Sequence, residues 1–189
     1  MNILAISGSL RAASNNSALL RAVSRLAPPG IAVELFGDLG NLPLFNPDIE
    51  AAHPPVVARF REQLIAADAV IIASPEYAHG VTGSMKNALD WMVGCEAFVN
   101  KPVALLNASP RAVHAHASLK ETLTVMSAVI VEEASIAVPV LGSSLDEEGI
   151  VAHPEISRRL IGALRSLDAA VCQLGKGNEK ARGDSGLFI

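Results

Sequence analysis

The chain has little of what marks a specialised environment. Its two cysteines, Cys95 and Cys172, stand in no C-x-x-C pair and beside no Cys/His cluster, which excludes a disulfide framework and a zinc site. Both read as reduced, buried small hydrophobes. Charged residues are only 18% of the chain and the net charge is −4, with no run of Lys or Arg, so a nucleic-acid surface is excluded. No apolar stretch reaches the length of a membrane span, because Glu132 and Glu133 divide the longest candidate. From Met1 the chain passes into an apolar run with no basic segment ahead of it, and the expectation is a cytoplasmic protein. Nucleotide-binding motifs are missing too. There is no Gly-Lys-Ser/Thr ending of a Walker loop and no trio of spaced glycines.

What is present is a hydrophobic half, enough for one sizeable core in 189 residues. Short apolar runs alternate with helical patterns along the whole length. Strands are expected at 3–7, 31–36, 69–73, 103–106 and around 129–138, with helices between them and a last helix over 154–174. The reading is one domain, 1–174, followed by a polar, Gly-rich tail, 175–189, that ends in Leu187-Phe188-Ile189. Such alternation calls for a parallel sheet with helices on both faces, with ligands at the carboxyl ends of its strands. In the flavodoxin-like order 2-1-3-4-5 the crevice lies between the first and third strands. The long connection 37–55 is a further candidate border of that site.

The loop after the first strand, "SGSLRAASNNS", carries hydroxyls and amides from Ser9, Ser14, Asn16 and Ser17 and one guanidinium, Arg11. It opens onto a helix for which Asn15, Asn16 and Ser17 are candidate caps, and a helix N-terminus favours an anion, above all a phosphate. The loop after the third strand, "SPEYAHGVTG", holds the single tyrosine, Tyr77, whose flat face suits a planar cofactor. Pro75 stiffens it, and Gly80 and Gly83 let backbone approach a ring closely. A third loop, "NASPRAVHAH", brings Ser109 and Arg111 towards the same end. His114 and His116, two apart, are spaced poorly for joint metal binding, and His79 is the better functional candidate.

"GSLR" at 8–11 with Ser14 and Asn16, together with "SPEYAHGVTGSMKNALDW" at 74–91, resembles the NADPH-dependent FMN reductase family of flavodoxin-like flavoproteins, which includes flavin, quinone, azo-dye and chromate reductases. The resemblance implies that Ser9, Arg11, Ser14, Asn16 and Ser17 hold the FMN phosphate. It also implies that Pro75, Glu76, Tyr77 and Ala78 line the flavin, with Ser109 at its edge and His79 and Arg111 near the cosubstrate. NADPH or NADH would supply hydride, the flavin would carry it, and a small acceptor would receive it: free FMN, a quinone, an azo compound or a metal oxyanion. No catalytic side chain and no metal are expected, and a homodimer or homotetramer is. The alternative is a flavodoxin-type electron carrier that does not itself oxidise NAD(P)H. Many relatives have asparagine where this chain has Ala78, and proline where it has Thr82. Lys86, Asn87 and Asp90 are expected to be structural, the first and last pairing across one helical turn.

Overall fold

The apolar runs become strands because their residues have sheet on either side and helix above and below. The computed structural model describes residues 1–140 and 145–184, with side chains to residue 176. In chain order the elements are β1 (Asn2–Ser7), α1 (Asn15–Leu26), β2 (Ala32–Leu35), α2 (Pro47–Glu50), α3 (Pro55–Ala66) and β3 (Ala69–Ala73). A hairpin of β4 (Glu76–Tyr77) and β5 (Gly80–Val81) follows, then α4 (Gly83–Asp90), β6 (Pro102–Leu106), α5 (Val113–Val125), β7 (Val129–Ile130), α6 (Glu147–Ala152) and α7 (Pro154–Asp184). Five strands form one parallel sheet in the order β2-β1-β3-β6-β7. This is the expected 2-1-3-4-5 order, with the β4–β5 hairpin outside the sheet.

The period of two along each strand divides the core. Ile3, Ala5, Ala69, Ile71 and Ala104 pack on one face against Leu19, Leu20 and Val23 of α1 and Leu160, Leu164 and Leu167 of α7. Leu4, Ile6, Val70, Ile72 and Leu105 pack on the other against Phe60 and Leu64 of α3, Met85 and Leu89 of α4, and Leu119 and Leu123 of α5. The alanines thin the first face, and the second is filled by bulk, including Phe36 and Phe60 with ring centroids 4.5 Å apart. Helices therefore cover both faces.

Several expectations change. Ser14 caps α1, its Oγ accepting the Ser17 N–H at 3.2 Å, while Asn15 and Asn16 lie within the helix. The fifth strand is short: β7 stops at Ile130, a turn of 3-10 helix covers Glu132–Ala134, and only a bridge between Asn107 and Ala137 resumes the pairing. The polar residues in its middle cannot all lie in a sheet flanked by apolar layers. The last helix passes Leu174 and runs to Asp184 through Gly175, Gly177 and Gly183, each of which weakens it by only about 1 kcal/mol relative to alanine. Leu187, Phe188 and Ile189 lie outside the described residues. Cys172 is exposed and Cys95 half-buried, so Cys172 is not a core residue.

The connection 37–55 does not border the crevice. Asn87 of α4 accepts the Phe45 N–H at 2.7 Å and donates to the Pro43 carbonyl at 2.9 Å, and Trp91 Nε1 donates to the same carbonyl at 2.7 Å. The connection is thereby pinned on α4, where Phe45 packs edge-on against the buried Trp91 ring. Asn87 bonds loop backbone as expected, and Lys86 pairs with Asp90. No helix among the described residues is long and apolar enough to cross a membrane.

Candidate functional site

The buried polar residues among those described are Ser14, Asn16, Thr82 and Asn107, and all four stand at the carboxyl end of the sheet. Burying such groups is costly unless they are hydrogen-bonded, so their partners show what this end is built for. Ser14 caps α1. Asn107 shapes the loop after β6, its Oδ1 accepting the Ser109 N–H at 2.9 Å and its Nδ2 donating to the Ala112 carbonyl at 3.1 Å. Thr82 caps α4 by accepting the Met85 N–H, and its hydroxyl donates to the Gly8 carbonyl at 2.7 Å; Ser84 donates to the same carbonyl at 3.1 Å. A proline at position 82 has no such hydroxyl, so this chain joins the first and second loops by a bond that relatives with proline lack. Asn16 is different: its buried Oδ1 has no partner.

Ser14, Asn16 and Asn107 line a cleft of about 340 Å³ between the loops that follow β1, β3 and β6. The first loop contributes Ser9, Arg11, Ser14 and Asn16, the second Pro75, Glu76 and Tyr77, and the third Ser109 and Arg111. Ser17, Ala78 and His79 are not on the lining. Ser17 stands behind it, with its Oγ 2.8 Å from Ser7 Oγ. Ala78 and His79 form the hairpin turn, and the His79 ring stacks on His114 with centroids 4.2 Å apart. Asn15, Ser74 and Asn107 also line the cleft and were missed. Asn107-Ala108-Ser109 directly after a strand was the available signal for an Asx turn.

Charge on the lining is one-sided. The Arg11 and Arg111 guanidiniums make no ion pair among the described residues. The one carboxylate on the lining, Glu76, is engaged by the protein, its Oε2 accepting the Ala115 N–H at 2.8 Å. The first turn of α1 carries no acidic residue, so its dipole reinforces the guanidiniums. Behind the third loop, burial pushes the His116 imidazole below its usual value, with Lys120 acting in the same direction against Glu132. No group of three or more possible metal ligands exists among the described residues.

The hairpin turn is strained. Ala78 and His79 adopt φ of 48° and 61°, the left-handed region that two-residue primed turns require and that asparagine and glycine tolerate best. Ala78→Asn is therefore expected to raise stability by up to about 1 kcal/mol, read as a higher midpoint in thermal unfolding of the apoprotein.

Residues 1–140 match the family model described as NADPH-dependent FMN reductase. The chain belongs to this family. An NAD(P)H-dependent FMN reductase of Pseudomonas aeruginosa is 47% identical over 112 residues, 58% of this chain and 60% of that protein. A quinone reductase of Pseudomonas putida is 40% identical over 116 residues, 59% of this chain and 62% of that protein. These matches span about three-fifths of the length of these curated relatives. Among solved structures, the flavoenzyme NAD(P)H:(acceptor) oxidoreductase FerB of Paracoccus denitrificans superposes with a TM-score of 0.77 at 27% identity, covering 91% of this chain and 97% of that one. As a member of the FMN reductase family the chain has a cleft where such folds hold ligands, at the switch point where the strand order reverses about β1.

Proposed function

We propose that the cleft binds FMN and that the protein is an NAD(P)H-dependent reductase acting on a small acceptor. The observation that carries this reading is the Asn16 Oδ1, buried without a partner at the N-terminus of α1, on a cleft also lined by two guanidiniums that make no ion pair among the described residues. An amide can turn to present either oxygen or nitrogen, so it fits a phosphate oxygen or a ribityl hydroxyl equally. Arg11, Ser9, Ser14 and Asn16 take the phosphate, with Ser17 supporting the loop from behind. Pro75, Glu76 and Tyr77 hold the ring side and Ser109 its edge, while Ala78 shapes the hairpin turn from outside the lining. Arg111 receives NADPH or NADH and the acceptor in this reading, with His79 off the lining and stacked on His114.

FMN, when bound, supplies the hydride chemistry, accepting from the nicotinamide and passing electrons to free FMN, a quinone, an azo compound or a metal oxyanion. The chain's part is to bind and orient. No lining residue is needed as nucleophile or general base. An electron carrier that sandwiches its ring would want aromatics on both sides, and Tyr77 is the single aromatic on this lining, 63% exposed. An open ring suits a small partner. The reading further takes residues 1–174 as the cofactor-binding domain, a homodimer or homotetramer as the assembly and the cytoplasm as the location, without nucleic-acid or membrane partners.

Purified protein is expected to be yellow, to release FMN on denaturation, and to bleach under NADPH in the absence of oxygen without any added reductase. Protein that takes up no flavin overturns the reading. Protein that binds FMN but needs a separate reductase restores the electron carrier.

A further inference from the structure

Helix α5 begins without a cap of its own. The residue before it is Ala112, which has no side-chain oxygen, and its first turn carries no acidic residue. The leading N–H groups of a helix need acceptors from somewhere. One is supplied from 39 positions away, by Glu76 of β4, whose Oε2 accepts the Ala115 N–H at 2.8 Å. A carboxylate is the favoured group at that end of a helix dipole. The hairpin is tied to the same turn a second time by the stack of His79 on His114. From there the ties run back to β6: the Ala112 N–H donates to the Ser109 carbonyl at 3.0 Å, and the Ala112 carbonyl accepts from Asn107.

We infer that Glu76 is a positioning residue for the cofactor: by capping α5 from the hairpin, it locks the second and third loops into one wall of the cleft. The inference rests on the FMN reading. Its bond to the α5 N-terminus also occupies one oxygen of the one lining carboxylate, and the other charged residues on the lining are Arg11 and Arg111. Glu76 thus acts on Ser109 and Arg111 through α5.

The test titrates FMN into wild-type, Glu76→Gln, Glu76→Asp and Glu76→Ala apoproteins, followed by flavin fluorescence and visible absorption, with exchange of the Ala115 amide measured before flavin is added. Glutamine keeps an acceptor oxygen at the same reach and is expected to bind FMN within about threefold of wild type. Alanine, and aspartate with its side chain one methylene short, are expected to weaken binding by about tenfold or more, speed Ala115 exchange and shift the flavin band. Alanine and aspartate variants that bind FMN within twofold of wild type with an unchanged band overturn the role, even if their thermal stability falls. Wild-type protein that binds no FMN overturns the cofactor reading and this role with it.

Discussion

Arg11→Ala combined with Asn16→Ala is expected to weaken FMN binding by about a hundredfold or more and to leave the apoprotein folded. A hydrogen bond to a charged group contributes about 1.5–3 kcal/mol, so two lost at a phosphate amount to roughly 3 kcal/mol at the low end, and each 1.4 kcal/mol is tenfold in affinity. The fold should tolerate both changes. Arg11 is exposed and makes no ion pair among the described residues, and Asn16 already holds a buried oxygen without a partner. Truncating Asn16 removes that unsatisfied atom, which offsets part of the lost packing. Flavin fluorescence titration of the apoprotein reads the affinity, and thermal unfolding without flavin reads the fold. Flavin occupancy equal to wild type would show that the phosphate lies elsewhere.

Gly8→Ala is expected to damage both the fold and the cleft. A Cβ on Gly8 would sit 2.2 Å from Ser74 Oγ and 2.6 Å from Ser74 Cβ, with the Ser74 Cα at 3.1 Å. The first two contacts are closer than atoms can approach, and the third involves backbone, so a side-chain rotation alone cannot relieve them. Gly8 is also where the first two loops meet: its N–H donates to the Ala73 carbonyl at 2.8 Å, and its own carbonyl accepts from Thr82 and Ser84. Forcing the loops apart is expected to cost about 1–3 kcal/mol as overpacking, read as a lower unfolding midpoint, together with loss of flavin binding. Ser74→Gly in the same chain removes the two worst contacts and is expected to recover part of the stability. No recovery would mean that the strain lies in the backbone around Gly8 and not in this contact.

Much of the architecture was legible because it follows from short-range pattern. The run Ala69–Ala73 is a strand at the boundaries its composition suggested, since five apolar residues between polar ends have no amphipathic alternative of that length. The gathering of polar residues after β1 was legible as well: Arg11, Ser14 and Asn16 do share one cleft. Three features were not. Ser74 and Asn107 look like ordinary strand-end residues until the third dimension places them beside Gly8 and Ala112. The stack of His79 on His114 joins residues whose neighbours in sequence give no hint of each other. The connection 37–55 reads as a loop free to reach the site, yet Asn87 and Trp91 hold its carbonyl and amide groups against α4.

By itself the order of residues determined the alternation of strands and helices, the parallel sheet that alternation requires, and the collection of hydroxyls, amides and guanidinium after β1. Those depend on the nature of each residue and its near neighbours, through steric preference and the periodic burial of apolar side chains. Only the tertiary structure decided which polar groups spend their hydrogen bonds on the protein and which remain for a ligand. Thr82 and Glu76 are satisfied by partners from distant segments and Asn107 by its own loop, while the Asn16 Oδ1 has no partner. Hydrogen bonding reaches only about 3 Å, so such a distinction exists only once distant segments have been brought together.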